Sequence, residues 1–256
     1  MGGSIVTLSD LLAELRIGML NDRSMRTSGS SDYLWTDITL VRYINEAHRR
    51  FAVRSLVLRD GSTPEVTQVT LKTGVGEYAL HPAILSVLSA KLPDSSIDLI
   101  RAGHSALGVA RTDTDNWDPT PLLLAPGRPL AYTTDEQVQL DDGNSLSAAS
   151  LRLFPVPDVT MNNVVLKLRV VRKPLDDLTM SSLSAIPEIP EDHHLNMLDW
   201  AAYLALRIAD NDTGDSKRSS DYAASFESHV QDARKEVMRK MFAPKSWGFG
   251  RNGWTW

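Results

Sequence analysis

The chain has 256 residues, of which 42% are hydrophobic, and it contains no cysteine. This length allows a substantial core in one large domain or two small ones, while the lack of cysteine excludes disulfides and thiolate metal sites and favours a reducing compartment such as the cytoplasm. The net charge of -5 at pH 7 argues against a protein held to nucleic acid by phosphate contacts. No apolar run approaches the roughly 18 residues of a membrane-spanning helix, so no membrane association is expected.

Two amphipathic helices are predicted at the N-terminal end. Thr7 and Asp10 favour the start of the first helix, whose apolar face consists of Leu8, Leu11, Leu12, Leu15 and Met19. The polar stretch NDRSMRTSGSSD then predicts a loop. The second helix is expected to begin near Thr36, with a buried stripe of Ile38, Val41, Ile44, Phe51 and Ser55.

Residues 64–180 predict β-structure. Short apolar or alternating runs are separated by Gly, Pro and Asp, which is typical of strands joined by turns. These runs lie at residues 66–71, 78–80, 84–92, 122–124, 137–140, 151–154 and 164–171. The segment LKLRVVR alternates, so one face of that strand is expected to be buried and the other wet. TGVGE at residues 73–77 predicts a hairpin turn, and six or more such strands predict an antiparallel sandwich or barrel.

Helical periodicity returns after SAIPEIPED, where Pro190 suits the first turn of a helix. Its apolar face consists of Leu195, Leu198, Ala202, Ala205 and Ile208, and that of the last helix consists of Tyr222, Phe226, Val230, Ala233, Val237 and Met241. Two helices before the strands and two after them can bury these stripes only against one another. We therefore expect an α+β fold with a discontinuous helical bundle (residues 1–63 and 186–243), an inserted antiparallel β-domain (64–180) and an extended C-terminal arm (244–256).

The arm, PKSWGFGRNGWTW, is rich in aromatic residues and glycine. Its glycines disfavour a helix but permit an extended path with close backbone approach. Burying its four large aromatic side chains would supply a free energy comparable with the entropic cost of ordering the segment, so the arm is marginal alone. We predict a partner-binding site that consists of Trp247, Phe249, Arg251, Trp254 and Trp256. The alternative is that the arm folds back over its own helices.

Candidate catalytic and metal-binding residues are few. His193 and His194 follow two acids, but adjacent histidines point in different directions, whereas metal ligands on a helix are normally spaced i, i+4. The acidic stretches DGST at Asp60 and DTDNWD at 113–118 lack the glycine and glutamate of a calcium loop, and no serine lies in a GxSxG motif. We expect no metal, no cofactor and no enzymatic activity. A carbohydrate-binding or host-adhesion module, with Trp117 as its candidate aromatic residue, is the alternative, and an enzyme is less favoured.

Six segments, in this order, resemble the head-to-tail adaptor (connector) proteins of short-tailed bacteriophages: VRYINEAHRRFA, VTLKTGVGEYALHPAILSV, LRLFPVPD, LKLRVVRKPLDDL, IPEIPEDHHLNMLDWAAYLALRIADNDTGD and DYAASFESHV. The resemblance implies a structural virion protein that forms a homo-oligomeric ring, a dodecamer, between the portal protein and the tail nozzle protein. It also implies assembly in the host cytoplasm, a final location in the virion neck and tail, and a DNA channel through which the genome passes without specific binding.

The charge pattern adds two expectations under this resemblance. Acids of residues 176–192 and of the DTDNWD loop should dominate the channel wall, because tight phosphate contacts would slow the passage of DNA. Ring contacts are head-to-tail and need two different faces. Candidates for one such face are Arg16, Arg49, Arg50, Arg54 and Arg59, although a solvated helix surface explains them equally well.

Overall fold

The computed structural model describes residues 6–22, 33–102, 125–135, 149–207 and 215–242. These residues form five α-helices and eight short β-strands in two sheets, so the predicted α+β class is confirmed. Helix α1 spans Leu8–Ala13 and continues as a π-helical turn over Glu14–Met19. Its start is the predicted one, since the Thr7 hydroxyl accepts the Asp10 N–H while Asp10 Oδ2 accepts the Thr7 N–H at 2.9 Å.

Helix α2 spans Asp37–Ser55 and begins at the predicted N-cap, Thr36. Of the predicted stripe, the buried members are Val41, Ile44, Phe51 and Ser55. Ile38 was assigned to this stripe wrongly, because its side chain is 74% exposed. At about 100° per residue, Ile38 lies roughly a third of a turn away from Ile44 and Phe51, which points it out of the core.

The strands occupy the middle of the chain: β1 (Arg59–Asp60), β2 (Gln68–Thr70), β3 (Glu77–Ala79), β4 (Ile84–Lys91), β5 (Ile100–Arg101), β6 (Ala131–Asp135), β7 (Ser150–Phe154) and β8 (Val165–Arg172). A single-turn helix, α3 (Pro64–Thr67), precedes β2 where strand had been predicted, because Pro64 at its first position favours a helical turn. The predicted runs at residues 122–124 and 137–140 lie outside the described residues.

The first sheet is centred on β8. Strand β4 pairs antiparallel along one edge of β8, and β1 and β2 pair antiparallel along the other. The predicted alternation of β8 is confirmed, since Leu166, Leu168 and Val170 are buried while Lys167 and Arg169 are exposed. This strand therefore has one face toward the core and one toward solvent.

The second sheet has the strand order β3-β7-β6-β5. All its pairs are antiparallel except β5 with β6, which departs from the predicted antiparallel arrangement. Both sheets are open in the described part of the chain, so the barrel alternative is wrong. The predicted hairpin at TGVGE is also wrong, because β2 belongs to the first sheet and β3 to the second. Gly74, in the left-handed region at φ 74°, turns the chain from one sheet to the other.

Two helices follow the sheets. Helix α4 spans His194–Leu206, after a 3-10 turn whose N-cap is Pro190, and α5 spans Ser216–Phe242. The predicted faces are mostly confirmed, since the buried members are Leu198, Ala202, Ala205, Phe226, Val230, Ala233 and Val237. Leu195 was predicted wrongly and is 54% exposed, because His194 occupies the buried position of that turn. Ile208 lies outside the described residues.

Most buried apolar side chains of the described residues form two clusters. The first collects residues of α1, α2, α4 and α5, with Phe51 packed against Phe226 at 6.0 Å and against His193 at 5.2 Å between ring centroids. The second cluster collects residues from both sheets, including Val87, Leu151 and Leu168. Helical residues from the two ends of the sequence therefore share one core.

Candidate partner-binding site

The predicted partner-binding residues Trp247, Phe249, Arg251, Trp254 and Trp256 lie outside the described residues. The structure does describe the helix that precedes them. Near the start of α5, the Arg218 guanidinium donates to the Met19 carbonyl at 2.6 Å and the Tyr222 hydroxyl to the same carbonyl at 3.2 Å. Near its end, the Val237 carbonyl accepts from Arg59 Nη2 at 3.2 Å. The described end of α5 therefore lies beside β1.

A buried ion-pair cluster lies at the other end of the helical core. The Arg16 guanidinium donates to Asp22 Oδ2 at 2.6 Å, to Asp37 Oδ1 at 2.5 Å and to the Trp35 carbonyl at 2.9 Å. The Tyr33 ring covers it at 4.0 Å from the ring centroid. Buried charges are stable only when they are paired in this way. Arg16 thus fixes the chain before α2 against the π-helical turn.

This fixed geometry leaves an apolar surface facing outward. We define the α1–α2 patch as Glu14, Ile17, Leu34, Asp37 and Ile38. Ile17 is 55% exposed, Leu34 is 51% exposed, and Ile38, which had been assigned to the core, is 74% exposed. Each of the three is the chain neighbour of a residue in the Arg16 cluster. The Leu34 N–H donates to Asp22 Oδ1 at 2.9 Å, so its backbone is held by the same cluster. Exposed apolar residues grouped on a fixed backbone are typical of a surface that binds another molecule.

The five arginines predicted for a subunit contact all have partners within their own chain. Arg16 is buried and therefore unavailable to a neighbour. Arg54 pairs with Glu227, and Arg49 lies 3.7 Å from Asp177. Arg50 lies over the Trp200 ring at 3.8 Å, and Arg59 binds the end of α5 as described above. A solvated or intramolecular role explains these four exposed or half-exposed side chains without a neighbour.

The acidic segment 173–192 is tied to both cores. Arg172 donates to Asp60 Oδ2 at 2.7 Å and to Glu188 Oε2 at 2.5 Å, and Glu188 also accepts the Leu175 N–H at 2.6 Å. Asn45 of α2 donates to the Leu178 carbonyl and accepts the Leu178 N–H, both at 2.8 Å. The exposed carboxylates of the segment are those of Asp176, Asp177, Glu191 and Asp192.

Asp60 has a structural role, so the DGST stretch gives no calcium site. Burial raises the pKa of the Asp60 carboxyl, but hydrogen bonds from Thr63, Ser62 and Arg172 outweigh this effect and hold the pKa well below its usual range. Its Oδ1 accepts the backbone N–H groups of Ser62 and Thr63, and its Oδ2 accepts a hydrogen bond from the Arg172 guanidinium. No group of three histidine or acidic side chains in the described residues is arranged to hold a metal ion.

The buried histidines of the described residues, His48, His193 and His194, are packing residues. His48 is 1% exposed, and burial lowers its pKa to about 4 although Glu188 acts in the opposite direction. His194 Nε2 lies 2.8 Å from the Ile189 carbonyl, and burial lowers the pKa of His193. Both histidines of the adjacent pair are buried, although consecutive side chains point in different directions.

Asp199, Ser225 and His229 resemble a catalytic triad in composition only. The Ser225 hydroxyl donates to Asp199 Oδ2 at 2.6 Å, and His229 Nε2 lies 3.5 Å from the same oxygen. In a nucleophilic triad the serine hydroxyl is hydrogen-bonded to one nitrogen of the imidazole, and the carboxylate is hydrogen-bonded to the other ring nitrogen. Here both groups converge on the carboxylate, whose pKa is raised by burial. The arrangement joins α4 to α5.

Two further sequence predictions concern surfaces that the structure does not describe. Trp117 and the DTDNWD loop both fall within residues 103–124. In the described part of the chain, no helix is both long and apolar enough to cross a membrane.

Comparison with known proteins gives the class and then the family. A family model described as SU10 adaptor protein matches residues 6–247. The chain is therefore a bacteriophage adaptor protein. It belongs to the SU10 adaptor protein family, which confirms the resemblance to phage head-to-tail adaptors. No curated protein matches the chain significantly.

The α1–α2 patch was missed by the sequence reasoning. A helical wheel centred on Leu40, Ile44 and Phe51 would have shown Ile38 off the stripe. The burial of Arg16 had no such signal, because its partners Asp22 and Asp37 lie 6 and 21 residues away in sequence.

Proposed function

We propose that this protein is a subunit of a dodecameric ring that joins the portal to the tail nozzle of a short-tailed phage and lines the DNA channel. The observation that carries the proposal is the family membership over residues 6–247. The protein then acts in the virion neck, after assembly in the host cytoplasm. In this proposal it is a structural protein.

The proposed organisation is a helical bundle formed by residues 1–63 and 186–243, with a β-domain at 64–180 inserted between its halves. The shared core of α1, α2, α4 and α5 supports this division. The separate cluster of apolar residues from the two sheets supports it as well. Arg172 of the proposed β-domain pairs with Asp60 and Glu188 of the proposed bundle, so these ion pairs connect the two parts.

The C-terminal arm, residues 244–256, is the proposed binding segment. Its aromatic residues Trp247, Phe249, Trp254 and Trp256, with Arg251, dock into pockets of the portal or of a neighbouring subunit. The proposed arm follows α5 in the sequence, and the described part of that helix ends at Phe242.

The acids of residues 176–192 are the proposed channel-facing charges. Asp176, Asp177, Glu191 and Asp192 are exposed, while Lys173 is the one basic residue of segment 173–192. A negative wall repels DNA phosphates and lets the genome slide. A reconstruction of the assembled ring with Lys and Arg side chains lining its channel would contradict this assignment.

The test is to mix the purified protein with a portal ring and to look for a defined complex by native mass spectrometry and negative-stain imaging. The expected result is a saturating number of copies per portal ring. A chain that lacks residues 245–256 should keep its fold, as measured by circular dichroism, and lose attachment. Trp247→Ala should weaken docking, whereas Ser246→Ala is the matched control in the same segment. Normal docking of the truncated chain would overturn the role of the arm.

A further inference from the structure

The α1–α2 patch presents three large apolar side chains to solvent on a fixed backbone. Ile17, Leu34 and Ile38 are each more than half exposed. Arg16 binds both the Trp35 carbonyl and the Asp37 carboxylate, so residues 34–38 are held beside the π-helical turn that carries Ile17. Apolar groups on a backbone that is already fixed lose less entropy on binding a partner.

The patch includes two exposed carboxylates. The Glu14 carboxylate is exposed and lies over Gly18, where an added Cβ would come within 2.3 Å of Glu14 Oε1. Asp37 pairs with Arg16, yet its side chain is still 53% exposed. A complementary partner therefore combines large apolar side chains with basic groups.

The C-terminal segment of this chain, residues 243–256, has this chemistry. It carries Trp247 and Phe249 beside Lys245 and Arg251, and it has no acidic residue. Aromatic side chains suit apolar surfaces with polar rims, and the two cations can pair with the carboxylates of Glu14 and Asp37.

The segment cannot reach the patch of its own chain with its first aromatic residues. Helices α2 and α5 run in the same direction, since Phe51 contacts Phe226, Arg54 pairs with Glu227, and Arg59 binds Val237. The N-terminal end of α2 and the C-terminal end of α5 are therefore roughly 40 Å apart, at about 1.5 Å per helical residue. Trp247 and Phe249 follow Phe242 by only five and seven residues, which span at most about 25 Å even when fully extended.

We propose that residues 243–256 of one copy bind the α1–α2 patch of a neighbouring copy. This inference rests on the proposed ring and specifies where the arm docks within it. The C-terminal end of α5, from which the segment continues, and the patch lie at opposite ends of the helical core, so the contact joins two different surfaces, as a head-to-tail ring requires.

The first experiment uses the full-length chain and a fluorescein-labelled peptide with the sequence of residues 243–256, without a portal ring. Fluorescence anisotropy should report saturable binding, weakened at least tenfold by Leu34→Asp and by Ile38→Asp. The matched control is Ile97→Asp, because Ile97 in the β-region is 74% exposed, as Ile38 is. All three substituted positions are exposed, and thermal melts check that each variant is folded. Absence of saturable binding, or equal weakening by Ile97→Asp, overturns the proposal.

The second experiment separates contact between copies from contact within one copy. The chain has no native cysteine, so Ile38→Cys and Gly248→Cys introduce the only thiols. Oxidation of a mixture of the two single variants should give a disulfide-linked dimer, and a mixture of Ile97→Cys with Gly248→Cys should give none. A double variant that oxidises to an internally bridged monomer overturns the contact between copies. Neither readout depends on a portal ring, so failure here is distinct from failure to dock on the portal.

Discussion

Arg172 and Asp60 form an ion pair at 2.7 Å, with side chains only 9% and 4% exposed. The same guanidinium binds Glu188, which belongs to the segment that leads from β8 back to α4. Three parts of the chain far apart in sequence thus meet at one cation. A buried cation surrounded by two carboxylates is stable only as a complete set.

Replacing Arg172 by alanine should therefore destabilise the protein by about 3–5 kcal/mol, because two carboxylates are left without their cation. Chemical denaturation measures this free energy of unfolding. The matched control is Arg152→Ala, since Arg152 pairs with Glu77 at 3.0 Å with both side chains half exposed, and such surface pairs contribute about 0–1 kcal/mol. Equal losses in the two variants would contradict a special role for the buried pair.

His48 should make the stability depend on pH. Burial lowers its pKa from 6.5 to about 4 in the folded protein, while Glu188 and Asp177 act to raise it and His194 and Arg49 to lower it. The unfolded chain binds the proton more readily, so stability is fully present above about pH 6.5 and falls as the pH drops toward 4. The loss attributable to His48 is about 3 kcal/mol over this range.

The measurement is the free energy of unfolding at several pH values for the native chain and for His48→Leu. The variant should show a shallower decline between pH 6.5 and 4. Burial also lowers the pKa of His193, so part of the decline remains in the variant. An identical slope in both proteins would show that His48 does not titrate as described.

Phe51 and Ile38 test how α2 is oriented. Phe51 is fully buried against Phe226, so Phe51→Ala should cost about 3–5 kcal/mol through lost contacts and a cavity. Ile38→Ala changes an exposed side chain on the same helix and should alter stability by at most about 0.5 kcal/mol. Thermal or chemical unfolding of the two variants gives the comparison. A large loss of stability in Ile38→Ala would show that the Ile38 side chain is packed in the core after all.

Local chemistry made much of the fold predictable. The capping residues Thr7 and Thr36 and the alternation of β8 depend on neighbours within a few positions, and each was located correctly. The pairing partners of the strands could not be predicted in this way. TGVGE has the composition of a hairpin turn, yet it joins two sheets, because the preceding strand β2 pairs with β8 and the following strand β3 pairs with β7.

The candidate site was less predictable for the same reason. The α1–α2 patch has its geometry because the buried Arg16 side chain pairs with Asp22 and Asp37. No local sequence pattern predicts a contact between residues so far apart in the chain. The binding role of the arm was inferred from composition alone, and because the arm lies outside the described residues it stays a prediction.

Asn45 should control how firmly the acidic segment is held. Its amide group both donates to and accepts from the backbone of Leu178, at 2.8 Å in each direction. Asn45→Asp keeps an acceptor but loses the donor, which leaves a carboxylate facing the buried Leu178 carbonyl. We expect a loss of roughly 1–3 kcal/mol from the unpaired groups.

Hydrogen exchange followed by mass spectrometry separates a local effect from a global one. Amides of residues 175–190 should exchange faster in Asn45→Asp than in the native chain, while those of β8 keep their protection. Asn196→Asp is the control, because the Asn196 side chain makes only a long hydrogen bond of 3.4 Å to the Asp192 carbonyl at the surface. Faster exchange across all helices and strands would show that Asn45 stabilises the whole fold. Unchanged exchange in residues 175–190 would show that other contacts hold the segment.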